Sequence, residues 1–258
     1  MQFGILGPLQ IHRHAEPVPL PGAKRRILLI ALLVQANRLV SVDHLAEWIW
    51  PEHRPASAVA TIQAHLSTLR RDLDGDRPRS APPRLLLTDP TGYLIRVEVE
   101  QLDALSFERM AATGARTLRQ GRPGPASTEL SQALALCRGT PLAEAADADI
   151  AQGEIARLEE LRLTAMMLRI EADLALGRYL ELVPELSQLV LRYPLHERFY
   201  GQLMIALSAI GRRADALDVY RRAGEILARE LSIGPGPGLR AVQAVIVARG
   251  EDTPLVSR

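Results

Sequence analysis

Gly177 and Gly211 stand 34 residues apart, in LGRYLELVPELSQLVLRYP and IGRRADALDVYRRAGEIL, and each ends one stretch of helical apolar spacing and opens another. A period of this length is one helical hairpin, too small to bury its own apolar face, so successive hairpins must stack. That requirement governs the second half of the chain. From about Leu102 onward the pattern is purely helical, and residues 155–176, IARLEELRLTAMMLRIEADLAL, keep a helical periodicity until Gly177. Tyr179 and Pro194 take the second-helix and terminating positions of one hairpin, and Ala216 and Tyr220 echo that unit in the next. Upstream, PASTELSQALALCRGTPL predicts one further helix of the array at an irregular spacing. Stacked hairpins leave a concave face suited to a peptide, a ligand or another domain.

The first hundred residues obey a different rule. FGILG, LQIHR and PVPL are brief apolar or alternating runs broken by glycine and proline, the pattern of a small antiparallel sheet. After Gly22, KRRILLIALLVQAN predicts a mostly buried helix with Ile27, Leu28, Ile30, Ala31 and Val34 on overlapping faces. Ser41 is the expected N-cap of a short second helix, SVDHLAEWIW, ended by Pro51. A third is expected between Pro55 and Leu73, where Val59, Ile62, Leu66, Leu69 and Leu73 recur at steps of three and four as a packing stripe. Its other face holds Ser57, Ala60, Thr61, Ala64, Ser67, Thr68 and Arg71, with Gln63 and His65 on the flanks and Arg70 toward the packing side. No acid occurs there before Asp72. An ordinary solvated face carries Glu and Lys pairs, whereas this one, small and hydroxyl-bearing, can approach another surface closely. After a proline-rich loop, DGDRPRSAPPR, the run LLLTDPTGYLIRV predicts two strands around a turn. Helix, turn, helix and hairpin is the order of a winged helix-turn-helix, whose third helix enters the DNA major groove.

At 258 residues the chain is long enough for two domains with separate cores, and its 47% hydrophobic and 24% charged residues are those of an ordinary globular protein. No apolar run approaches the roughly 20 residues of a membrane span, and MQFGILGPLQ lacks a signal-peptide pattern, so a cytoplasmic location with no membrane partner is expected. Cys137 is the only cysteine, which excludes an intrachain disulfide and a cysteine-rich zinc site and predicts a small buried hydrophobe. Lys24 is the only lysine among 31 basic residues, a skew that GC-rich codons explain without nucleic acid. Charge distribution says more: residues 1–97 carry net +4 and the remainder −3, a weak sign of a DNA-facing front half.

Several small constellations carry less. Lys24 sits in PLPGAKRRIL, but Arg25 follows it and one glycine is near, which argues against a nucleotide-binding loop. The start of that helix admits two readings, a seat for a DNA backbone phosphate at Lys24 and Arg25 or a solvated helix end. His12 and His14 alternate on an expected strand with no third metal ligand suggested nearby, and RLEELR reads as a solvated helix face. Nothing resembles a Ser-His-Asp or Cys-His set, so neither catalytic residues nor a cofactor nor a metal is expected.

In order along the chain, FGILGPLQI, PGAKRRILLIALL, VSVDHLAEWIWPEHRP, TIQAHLSTLRRDL and TDPTGYLI resemble the DNA-binding half of the Streptomyces antibiotic regulatory protein family. LEELRLTAMMLRIEADLALGRY, PLHERFYGQLMIALSAIGRRADALDVYRRA and PGPGLR resemble its bacterial transcriptional activation domain. The resemblance implies an α+β winged helix-turn-helix of the OmpR-like, response-regulator kind over residues 1–97. An all-α tetratricopeptide-like helical repeat domain over 98–250 and a tail over 251–258 complete the expectation. It implies an activator that binds direct repeats in double-stranded DNA near promoters, two protomers side by side, and recruits RNA polymerase holoenzyme to secondary-metabolite clusters. By the same resemblance Thr61, Ala64 and Thr68 face bases, His65, Ser67 and Arg70 face phosphates, Arg71 serves either purpose, and Gln63, Thr88 and Tyr93 join the DNA contacts. In WPEHRP, Glu52, His53 and Arg54 are the exposed candidates for polymerase contact, with Trp48 and Trp50 as core anchors.

The sequence departs from the family at Thr68, where relatives often carry a basic residue, and at Asp89, where the wing often has arginine. Both departures lower the salt-dependent affinity expected for DNA. In the tail, the family has acids at the positions of Gly234 and Gly238 and a glycine at Ser232. The competing expectation is a helical-repeat adaptor or ligand sensor without sequence-specific DNA binding.

Overall fold

A computed structural model describes residues 1–74 and 84–248; most of the proline-rich loop and the expected tail at 251–258 lie outside the described residues. The chain forms two compact units, residues 1–112 with 132–164, and residues 113–131 with 165–258. Helices α4 (Asp103–Arg119), α5 (Pro123–Ala135) and α6 (Asp149–Ala175) each contribute residues to both.

The first unit opens with an antiparallel sheet, β1 (Gln2–Gly4), β2 (Gln10–Arg13) and β3 (Glu16–Pro17), in register Phe3 opposite Ile11 and His12 opposite Pro17. His14 and Ala15 make the tight turn with φ of 50° and 71°, the primed geometry whose twist matches the flanking strands. His14 therefore lies beyond the strand and does not share a face with His12 as expected. Helix α1 (Ala23–Val34) buries six consecutive residues, Leu28 to Leu33, so it runs through the core rather than along its surface. Helix α2 (Val42–Ile49) starts as the sequence predicts: Ser41 Oγ accepts the His44 N–H at 3.2 Å. Helix α3 (Ala58–Asp74) and the hairpin β4 (Leu86–Asp89)–β5 (Gly92–Ile95) complete the winged helix.

Gly92 has a steric reason. A Cβ there would sit 2.1 Å from the Val40 carbonyl oxygen, because Val40 and Tyr93 exchange both main-chain hydrogen bonds, at 2.8 and 2.9 Å.

The segment between β1 and β2 is held by side chains from far along the chain. Asp103 accepts the Ile5 and Leu6 N–H groups at 2.8 and 3.0 Å and pairs with Arg138 at 3.0 Å, while Arg138 donates to the Pro8 carbonyl at 2.9 Å. Glu144 accepts the Leu9 N–H with both oxygens at 3.0 Å and also pairs with Arg26. Cys137 is half-buried, less than expected, and burial still pushes its thiol up to about 11.

The second unit is the helical array. Helices α7 (Tyr179–Arg192), α8 (Glu197–Ala209), α9 (Arg213–Leu231) and α10 (Pro237–Ala248) pack with α8 at the centre, against α7, α9 and α10, around Leu186, Phe199, Met204, Ala216 and Ala223. Gly177 and Gly211 adopt φ of 75° and 82°, and in each case the next residue donates back to the carbonyl five positions earlier, Arg178 to Asp173 and Arg212 to Leu207. This is the Schellman helix stop, which needs a left-handed residue. Gly121 makes a third, with φ of 72° and Arg122 donating to Thr117, so α5 does follow a stop of the same kind at the irregular spacing. Ser232 ends α9 at φ 57°, a conformation that favours the glycine expected of relatives. A polar knot sits inside: Asp173, 5% exposed, accepts from Ser127 Oγ at 2.6 Å, Arg178 at 2.8 Å and Arg169 at 3.0 Å. Among the described residues no helix is long and apolar enough to cross a membrane, and no three His, Cys, Asp or Glu side chains gather as metal ligands.

Candidate nucleic-acid interface

Helix α3 turns Ala58, Ile62, Leu66, Leu69 and Leu73 into the core. Val59, expected in that stripe, is instead 42% exposed while Ala58 is 1% exposed. Positions three and four before Ile62 both satisfy helical periodicity, and packing selects the smaller residue. The outward face thus gains an apolar side chain beside exposed Ser57, Ala60, Gln63, Ala64, Ser67 and Arg71 and half-buried Thr61, His65, Thr68 and Arg70.

The two threonines are oriented from behind. Thr61 Oγ1 donates to the Ser57 carbonyl at 3.0 Å and Thr68 Oγ1 to the Ala64 carbonyl at 3.1 Å. With their protons spent on the helix, both hydroxyls offer lone pairs to a partner, and such acceptors match the amino groups of adenine or cytosine in the major groove. Val59, Ala60 and Ala64 supply apolar contact of the kind a thymine methyl makes.

The charged candidates are less free. Arg70 ties α3 to the wing: Nε donates to the Leu86 carbonyl at 3.0 Å, a terminal nitrogen bonds the Thr88 hydroxyl, and the guanidinium lies 5.8 Å from the Tyr93 ring. Thr88 is exposed, whereas Tyr93 is only 8% exposed. Arg25 faces Asp72 at 3.6 Å, and Arg13, which sequence reading missed, donates to the Asp72 carbonyl at 2.8 Å at the end of α3. Lys24 is exposed with Nζ 4.9 Å from the Trp50 ring, a cation–π contact. Burial, with Arg25 and Lys24 beside it, pushes the His65 imidazole below its usual pKa, so the ring is neutral near pH 7. Arg71 remains outermost, its side chain 69% exposed.

At the wing tip Asp89 has a structural duty. Its Oδ1 accepts the Thr91 N–H at 3.0 Å and the Thr91 hydroxyl at 2.7 Å, which closes the turn and holds the carboxyl below its ordinary range. Between α2 and α3, Glu52, His53 and Arg54 are all exposed, with Arg54 pairing to Asp43 at 2.6 Å. Trp48 is 2% exposed, a core anchor as expected, while Trp50 is half-buried under Lys24.

A winged helix whose third helix carries no acid before Asp72, continued by a helical-repeat array, defines a transcriptional regulator of the winged-helix class. Residues 16–95 match the family described as "Transcriptional regulatory protein, C terminal", and residues 102–247 match "Bacterial transcriptional activator domain". The regulatory protein DnrI of Streptomyces peucetius is 36% identical over 250 residues, which cover 96% of this chain and 92% of DnrI. The transcriptional regulator RedD of Streptomyces coelicolor is 34% identical, over 96% of this chain and 71% of RedD. A solved structure of Mycobacterium tuberculosis EmbR in complex with a low affinity phosphopeptide superposes with a TM-score of 0.91 at 34% identity, covering 96% of this chain. This chain spans only 65% of that EmbR chain. The chain belongs to the Streptomyces antibiotic regulatory protein family, as its motifs imply.

Proposed function

We propose that the chain is a sequence-specific activator that binds direct repeats in double-stranded DNA as two adjacent protomers and recruits RNA polymerase holoenzyme, serving a secondary-metabolite cluster in the cytoplasm. The observation that carries this reading is the outward face of α3, which presents hydroxyl lone pairs, methyl groups and Arg71 with no acid between Ser57 and Arg71. Thr61, Ala64 and Thr68 read base edges, with Gln63 beside them. Lys24, Arg25, His65, Ser67 and Arg71 face phosphates, while Arg70, Thr88 and Tyr93 fix the wing against the duplex. Residues 1–97 carry DNA binding and 98–250 carry activation. Exposed Glu52, His53 and Arg54 contact polymerase.

Footprinting on the upstream region of neighbouring genes, with and without holoenzyme, tests all of this. Protection of repeated sites is expected, extended toward the promoter when polymerase is added. Ala64→Glu, which puts a carboxylate on the bare face, abolishes protection. Alanine at 52, 53 and 54 keeps the footprint and loses activation in transcription assays. Binding without preference for repeats across a salt series would instead identify a protein adaptor.

A further inference from the structure

Leu180 and Leu191 are 74% and 81% exposed, the two most exposed large apolar side chains among the described residues, and both stand on α7. One exposed leucine is ordinary, but these two belong to a pattern. The outward face of α7 runs Leu180, Pro184, Ser187 and Leu191 at steps of four, three and four, all exposed, while Leu182, Leu186 and Leu189 fill the core behind it. Exposed Leu176 and Leu195 stand just beyond the two ends. A solvated helix face carries charges along such a line, and an apolar line rimmed by charge marks an interaction surface.

The charges stand to one side. Glu181 and Arg192 are exposed on the same flank at opposite ends of the helix, and neither makes an ion pair among the described residues. Arg192 lies 5.4 Å from the Tyr193 ring, and Glu185, farther round that flank, is already taken by Arg169.

The line is nearly the same read from either end, with a leucine at each terminus and Pro184 and Ser187 between. Laid antiparallel on a second copy about a two-fold axis at mid-helix, α7 sets Leu180 opposite Leu191 of the second copy and Pro184 opposite Ser187, whose short side chain allows close approach. Ser187 Oγ donates to the Val183 carbonyl at 2.7 Å, so its proton needs no partner there. In antiparallel helix pairs like flanks meet, which brings Glu181 beside Arg192 of the second copy, about 3 Å from level by the helical rise. A parallel pairing instead opposes Glu181 to Glu181 and Arg192 to Arg192.

We propose that α7 is a self-association surface that pairs antiparallel with α7 of a second copy through Leu180 and Leu191, with register set by Glu181 and Arg192. Direct repeats relate protomers by translation, whereas this pairing is two-fold. It is therefore a separate contact, formed by the helical array without DNA, and it stands independently of the DNA reading.

Sedimentation velocity of the full chain without DNA, across a concentration series, tests it. A concentration-dependent shift from monomer to dimer is expected. Leu191→Glu, felt twice in a two-fold interface, weakens the dimer at least about tenfold with the helical circular dichroism unchanged. Should that variant fail to fold, Leu180→Ser serves in its place. Charge reversal reads the register: Glu181→Arg and Arg192→Glu each weaken the dimer about fivefold, and the double variant regains the parent affinity. An acid early in a helix and a base late in it also favour the helix by themselves, but that local role is lost further in the double variant and restores no dimer. A chain that stays monomeric overturns the proposal, and a partner of other chemistry on this face gives that result. A dimer indifferent to Leu191→Glu, or a double variant no better than the single ones, overturns it as well.

Discussion

Carboxylates anchor both units, and the way they do so differs. In the first, Asp103 and Glu144 receive main-chain N–H groups from residues 97 to 135 positions away. In the second, Asp173 receives side-chain donors 4, 5 and 46 positions away, two of them guanidiniums. Closing long loops costs chain entropy before the contact repays it, so the front unit depends on late, non-local closure while the array can form locally and propagate. The outward face of α3 has neither kind of anchor: Thr61 and Thr68 bond their own helix backbone and Arg70 bonds the wing.

The largest effect is expected inside the array. Asp173→Ala strands Arg169 and Arg178 around a buried hole and lowers stability by about 3–5 kcal/mol; urea unfolding followed by circular dichroism measures it, and a loss below about 1 kcal/mol removes the knot as an anchor. In the front unit Glu144→Ala leaves the Leu9 N–H and Arg26 without their acceptor, at about 2 kcal/mol. Its signature is faster hydrogen exchange at Leu9 with the array amides unchanged; loss of protection in both units would erase the contrast. Smaller is the wing: Asp89→Arg binds repeat DNA more tightly with a log–log salt slope steeper by about one, and an unchanged slope places the wing tip away from phosphate.

The smallest effect is a pH dependence at His65. Its folded-state pKa is depressed, by burial first and then by Arg25 and Lys24, so its contribution to stability is whole above the ordinary histidine pKa and is lost as pH falls below it and through the lowered folded-state value. His65→Gln therefore shallows the decline in stability between about pH 7 and pH 5, the range around the ordinary value. A parallel decline in both proteins shows that another group governs it.

The array was the more legible unit because its rules are local. A glycine, a left-handed turn and a return bond repeat at Gly177 and Gly211 and are written in adjacent residues. The winged helix was legible in its elements and its capping, as Ser41 shows, and the outward face of α3 was found save for Val59, whose exposure depends on what the helix packs against. Arg70 and Asp89 were legible as charges but not as bonded groups, since their engagement with the wing comes from tertiary approach or turn geometry. Asp103, Arg138 and Glu144 gave no signal at all, because main-chain donors a hundred residues away leave no local pattern.

The grip of Asp103 and Glu144 on residues 5, 6 and 9 has a practical corollary for anyone dissecting the molecule. A fragment stopping at residue 97 keeps every group proposed to touch DNA yet forfeits both acceptors, so its amino-terminal segment must turn to water. Where the chain can be divided by task is therefore not where it can be cut with scissors.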